Sequence, residues 1–211
     1  MKRYLKASLA LLTAFVLWTA AVGSIDVRAI GPKGSKIGFS TVNEAFSRLT
    51  GVHMTWYVVT DWLSLVPVAF ALGFALLGLT QWIGRKKLQK VDFSILTLGG
   101  FYLVVLVAYV LFEKMKINYR PVLIDGALEA SYPSSTTMLV LCIMITAEMQ
   151  LCSRIKNRAL KHVISVFIGA FILFMVISRL TSGVHWLSDI IGAILLSAGL
   201  VTLYTAVCKM K

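Results

Sequence analysis

Six long apolar runs, at about 7–22, 56–83, 93–112, 136–151, 163–177 and 186–207, decide what this chain can fold into. A run near 20 residues, as a helix, crosses the roughly 30 Å of hydrocarbon in a bilayer. The fourth and fifth runs are the shortest and need flanking residues or a thinned bilayer to span. One short run could be a buried helix of a soluble domain. Six in succession, with 58% hydrophobic and 14% charged residues, argue against that class. None of the runs alternates apolar and polar positions, which excludes a membrane β-barrel. The expectation is an all-α integral membrane protein with six transmembrane helices, forming a single domain over 1–211. Its one sizeable hydrophilic stretch, about 24–55, reads as a loop. A turn is expected there at Gly31-Pro32-Lys33-Gly34-Ser35, and a short amphipathic piece at 42–49.

Charge sets the expected orientation. The net charge is +12, but the basic residues form short clusters between spans, with no aromatic-laced basic face, so no nucleic-acid partner is expected. Lys2, Arg3 and Lys6, Arg85 to Lys90, Arg154 to Lys161, and Lys209 with Lys211 fall on one side of a six-span arrangement. They make up 13 of the 21 basic residues, and the positive-inside rule makes that side cytoplasmic. Both termini are then inside. The start of the chain also resembles a secretory signal, but its apolar stretch is longer than usual for one, so an uncleaved first helix is expected.

The chemistry-bearing residues lie in three short motifs in the half spanning about 113–207, all on the expected external face. Ser178-Arg179 is followed by His185 and Asp189 at the mouth of the last span. If helix runs from Val184 onward, His185 and Asp189 stand one turn apart on one face. The carboxylate can then fix the imidazole tautomer and aim the other nitrogen at a substrate. Arg179 offers a fork suited to phosphate oxygens. Pro133-Ser134-Ser135-Thr136-Thr137 opens the fourth span. Alone it reads as a helix cap, but a helix N-terminus with free N–H groups also binds anions. Arg120-Pro121 follows the third span. Together these form a phosphate cradle with a nucleophile, in which Arg120, Ser134, Ser135, Thr136 and Arg179 are the candidate phosphate-binding residues.

The remaining polar residues read more plainly. Cys142, Cys152 and Cys208 lack metal or disulfide spacing and read as apolar fillers. His53 and His162 read as surface or interfacial residues, and Asp61, near the external end of the second span, either neutralises a cation of the site or sits in the headgroup layer. No metal is expected, because no His and carboxylate cluster has ligand spacing.

The order Arg-Pro, Pro-Ser-x-x, Ser-Arg-x5-His-x3-Asp resembles the type 2 phosphatidic acid phosphatase superfamily, whose membrane members are six-helix lipid phosphatases. Its soluble vanadium haloperoxidases share the pocket. The resemblance implies that His185 is a nucleophile forming a phosphohistidine and that Asp189 orients it. It also implies that Arg120, Arg179, Ser134 and the amide of Ser135 hold the phosphoryl oxygens, with no cofactor. Two positions depart from the family pattern. Glu113 stands where the family has a Lys, and if helix continues to Arg120, Lys116 lies on nearly the same face and can supply that charge. Thr136 stands where the family has a general-acid His, and a Thr hydroxyl cannot usefully protonate a leaving alkoxide.

Because general-acid help typically contributes 10²–10⁴-fold, its loss favours a substrate with a good leaving group. The expected substrate is a lipid diphosphate such as undecaprenyl diphosphate, which expels a phosphate. The expected setting is a bacterial plasma membrane with the site facing outward. The alternative is a catalytically impaired lipid-phosphate binding protein of the same fold. A transporter is disfavoured by the lack of paired intramembrane charges. Lipid tail and oligomeric state have no sequence signature here.

Overall fold

Each apolar run becomes a helix, because backbone N–H and C=O groups in hydrocarbon must find partners within their own segment. The computed structural model describes residues 1–210. Among these residues there are eight α-helices: α1 (Lys2–Ser24), α2 (Ser40–Thr50), α3 (Met54–Leu63), α4 (Leu65–Arg85), α5 (Phe93–Met115), α6 (Ser135–Arg154), α7 (Arg158–Thr181) and α8 (Leu187–Cys208). Six spans are long and apolar enough to cross a membrane: α1, α3 with α4, α5, α6, α7 and α8.

Several helix boundaries differ from the sequence expectation. The second span is divided at Ser64, which ends α3 and opens α4. Pro67 lies three residues on; it has no N–H to give to the Leu63 carbonyl, and its ring crowds the preceding turn. The fourth and fifth spans are not short: α6 has 20 residues and α7 has 24. Helix continues through Arg154 at one end, and through Ser178 and Arg179 at another, because hydropathy falls there while helix propensity does not. The last helix begins at Leu187, so His185 precedes it instead of lying on its first turn.

Burial separates the helices into core and lipid-facing sets. In α6 and α8, 56% and 50% of the spanning window is buried by protein, against 11–22% in the other four. The most buried helix, α6, also has the lowest mean hydropathy of the six. Its neighbours are other helices, so its Thr and Gln side chains meet protein partners instead of lipid. α1 lies along α8, with Ser8 Oγ donating to the Gly199 carbonyl at 2.9 Å and Trp18 Nε1 to the Ser188 carbonyl at 3.1 Å. Leu103, Val107, Val163 and Phe167, on α5 and α7, are exposed, as lipid-facing residues must be.

The two ends of the bundle differ in charge. At one end Arg85 pairs with Asp92 at 2.8 Å, Arg154 lies 3.8 Å from the same carboxylate, and Lys209 donates to the Tyr4 hydroxyl. At the other end the loop after α1, with the amphipathic α2, folds over the mouths of α6 and α8. The connection from α5 to α6 joins it there as a short hairpin. Ile124 and Ala127 exchange both backbone hydrogen bonds around Asp125-Gly126, whose φ values are +48° and +76°. This is the two-residue turn that an Asp-Gly pair favours.

Candidate active site

The hairpin and two helix mouths bring the motif residues together. Hairpin pairing sets Arg120 opposite Glu129, with the Arg120 amide donating to the Glu129 carbonyl at 3.0 Å. The Glu129 carboxylate then lies 3.0 Å from Arg120 Nε, though not in hydrogen-bonding geometry. Arg179 is almost fully buried in the last turn of α7. Its Nη1 donates to Thr60 Oγ1 at 3.0 Å and to the Tyr57 carbonyl at 3.4 Å, and its Nη2 is 3.9 Å from Asp61.

His185 stands between α7 and α8. Gly183 makes the turn that places it, with φ +71°; a Cβ there would lie 2.1 Å from the Gly51 carbonyl oxygen. On the neighbouring strand of chain, the His53 amide donates to the Ser182 carbonyl at 2.9 Å. The His185 side chain is buried. Its Nδ1 faces the Ser131 carbonyl at 3.2 Å and lies 3.7 Å from Asp189 Oδ2. The carbonyl can only accept, so Nδ1 carries the hydrogen and Nε2 keeps its lone pair. Burial, reinforced by the charges of Arg120 and Arg179 and opposed by Asp189, pushes the imidazole down to about 4. It is therefore neutral at pH 7, with an available nucleophilic nitrogen.

Asp189 is bound by groups other than His185. Oδ2 accepts from the Trp186 amide at 3.0 Å, as the third helical residue does in a capping box, and Oδ1 accepts from Asn118 Nδ2 at 3.3 Å. Asn118 also accepts from the Gly38 amide at 3.2 Å. Asn43 on α2 accepts from the Ser188 amide at 3.1 Å and donates to Ser188 Oγ at 2.9 Å. The loop after α1 is thereby tied to the carboxylate behind the histidine. The expected one-turn helical pairing of His185 and Asp189 does not occur, because the helix starts after His185. Their proximity comes from the turn and the cap instead.

The second motif begins α6. Ser134 is its fully buried N-cap; its Oγ donates to Thr137 Oγ1 at 3.0 Å, and its amide donates to the Asp189 carbonyl at 3.2 Å. Ser135 lines a narrow recess beside His185, together with Ser131 and Glu113. Thr136 is buried in the first turn of α6 and does not line that recess. Lys116 does not approach the cradle as expected. α5 ends at Met115, and Lys116 is exposed with φ +48°, in neither a hydrogen bond nor an ion pair among the described residues. Pro121 bars Arg120 from helical geometry, and Asn118 commits its side chain to Gly38 and Asp189, so the helix cannot continue that far.

Four buried nitrogens at this site have no hydrogen-bond partner: Arg120 Nε and Nη1, Arg179 Nε, and His185 Nε2. Tyr57, Thr60, Asn43, Asn118 and Glu129 are site residues that the motifs do not contain. For Glu129 the sequence carries only part of the signal: the Asp125-Gly126 turn implies a hairpin, but counting back from it pairs residue 120 with residue 131, whereas the structure shifts the register by two and sets Tyr119 opposite Ala130. For Asn43 and Tyr57 there is none, since their partners lie more than 100 positions away.

Comparison with known proteins bears on the family and the fold. A model described as PAP2 superfamily matches residues 97–211, from within α5 to the end of the chain. Among solved structures, the chain is similar to the first transmembrane PAP2 type phosphatidylglycerolphosphate phosphatase from Bacillus subtilis, with a TM-score of 0.56. The two are 19% identical over 96% of each chain, a likeness of fold. No curated protein matches the chain. With over half its length matched by the family model, the chain belongs to the PAP2 superfamily, and its six candidate spans make it a multi-pass membrane member.

Proposed function

We propose that this protein removes the terminal phosphate of a membrane lipid through a phosphohistidine at His185, with a preference for lipid diphosphates such as undecaprenyl diphosphate. The observation that carries the reading is a buried, neutral imidazole whose Nε2 has no hydrogen-bond partner, beside three buried arginine nitrogens that also lack a hydrogen bond. A buried donor without a partner costs about 1–3 kcal/mol, and more when charged. Two guanidinium groups left in that condition beside a nucleophile are accounted for by an anion that binds between them.

In the first step the His185 Nε2 lone pair attacks the terminal phosphorus. An N–P bond forms as the P–O bond to the lipid monophosphate breaks, and the electron pair leaves on that oxygen. Arg120, Arg179 and the amides opening α6 take up charge on the equatorial oxygens. Asp189 and the Ser131 carbonyl stabilise the positive charge that develops on the ring. Water then attacks phosphorus, the N–P bond breaks, and inorganic phosphate is released.

The diphosphate preference rests on what is missing around the leaving group. Glu113 lines the recess and Thr136 is buried away from it, so neither position offers a Lys or a His toward a leaving alkoxide. A departing phosphate needs no such help. The cradle lies at the end of the bundle opposite the basic clusters, which supports an external site in a plasma membrane under the positive-inside rule.

Rapid quenching of the purified protein with terminally ³²P-labelled undecaprenyl diphosphate tests the intermediate. The expected result is acid-labile, base-stable label on the protein, absent from His185→Ala. Tight, stoichiometric lipid binding without covalent label or release would instead establish a binding protein.

A further inference from the structure

Arg120 and Arg179 come from different parts of the fold, yet they share one aromatic ring. The Arg120 guanidinium carbon lies 5.6 Å from the Tyr57 ring centroid, and that of Arg179 lies 4.8 Å from it. Two buried cations gathered around one ring repel, and its π system is attractive to both. Tyr57 sits on α3, outside the region that the family model matches. The same helix supplies every other polar contact that the structure gives the Arg179 side chain: the Tyr57 carbonyl, Thr60 Oγ1 and the Asp61 carboxylate.

Thr60 is itself fixed. Its hydroxyl is within donating distance of the Trp56 carbonyl at 2.7 Å and the Tyr57 carbonyl at 3.0 Å, so the proton is committed within α3. The remaining lone pair accepts from Arg179. These contacts occupy Arg179 Nη1 and leave Nε free. Glu129 and Asp61 supply one carboxylate to each arginine at the rim, with side chains 39% and 60% exposed. Water screens them, so they balance charge without filling the cradle. α3 therefore shapes an anion site that its own residues do not occupy.

We propose that α3 is the positioning element of the phosphate cradle. The Tyr57 ring face and the Thr60 hydroxyl hold Arg120 and Arg179 in the array that receives a phosphoryl group. Tyr57 is a positioning residue and takes no part in bond making. The inference rests on the reading of the cradle as a phosphoryl site, and it adds a recognition element from the half of the chain without motifs.

The test is orthovanadate binding to detergent-purified protein by calorimetry, for wild type, Tyr57→Phe, Tyr57→Leu, Thr60→Val and Thr60→Ser, with Arg179→Ala as the site control. Tyr57→Phe keeps the ring and is expected to stay within about twofold of wild type. Tyr57→Leu removes the shared face and is expected to weaken vanadate by about tenfold or more, in line with two desolvated cation–π contacts. Thr60→Val is expected to weaken it by several-fold, and Thr60→Ser to restore it. Thermal melts accompany each variant. A lower melting temperature with unchanged vanadate affinity at 20 °C would show a merely structural role and overturn the proposal. Equal weakening by Tyr57→Phe and Tyr57→Leu would also overturn it, because the ring face would then not be the agent. Wild type that fails to bind vanadate, or Arg179→Ala that binds it as well as wild type, would sink the phosphoryl-site reading and this inference with it.

Discussion

At the scale of single residues, the protonation state of His185 decides whether the site can act as a nucleophile. Its imidazole is depressed to about 4 from an ordinary 6.5 by burial and by two nearby arginines. The native state then binds fewer protons than the unfolded chain between those values, so stability is full above about pH 6.5 and is lost as pH falls toward 4. Carbon-13 NMR of histidine-labelled protein, with His185→Ala for assignment, is expected to show this ring titrating near 4. A midpoint near 6.5 would mean the ring is solvated and half-charged at mild acidity. The sequence motifs named His185, Asp189, Arg179, Arg120, Ser134 and Ser135 as neighbours, and the structure gathers them at one end of the bundle. It leaves Lys116 outside, because a helix that ends at Met115 cannot carry its face on to Arg120. Tyr57, Asn43 and Asn118 were not legible. Each is an ordinary residue type whose role comes from a partner distant in sequence.

At the scale of elements, the apolar runs were legible as helices because hydrocarbon leaves the backbone no alternative. Their ends were not, since Arg154 and Ser178-Arg179 are polar but helix-competent and continue α6 and α7 past the hydropathy boundary. The break at Ser64 follows from Pro67, a signal within the apolar run that hydropathy alone passes over. The turn at Gly183 is where local geometry reaches the chemistry. Gly183→Ala would put a methyl against the Gly51 backbone at a left-handed φ. The expected result is a loss of about 1–3 kcal/mol in stability, with turnover reduced in the fraction still folded. Wild-type melting and turnover in that variant would show that the loop carrying His185 is not held as described.

At the scale of the whole molecule, burial and charge are arranged around one mouth. α6 and α8 form the protein-lined centre and open at the cradle, while the basic clusters gather at the opposite end. Under the positive-inside rule, the orientation we propose has the cradle facing outward. A membrane-impermeant maleimide applied to intact cells is expected to label Lys36→Cys and not Lys87→Cys, in a background with Cys142, Cys152 and Cys208 replaced. The reverse pattern would place the cradle in the cytoplasm. The function proposed from this chemistry and topology is that of a lipid phosphatase relying on a good leaving group instead of a general acid. The most direct test is phosphate release by the purified protein from undecaprenyl diphosphate and from phosphatidic acid, with His185→Ala alongside. Fast release from the diphosphate, slower release from the monoester by about 10²-fold or more, and none from the variant are expected. Equal rates on both lipids would contradict the leaving-group account, and release that survives in His185→Ala would contradict the nucleophile itself.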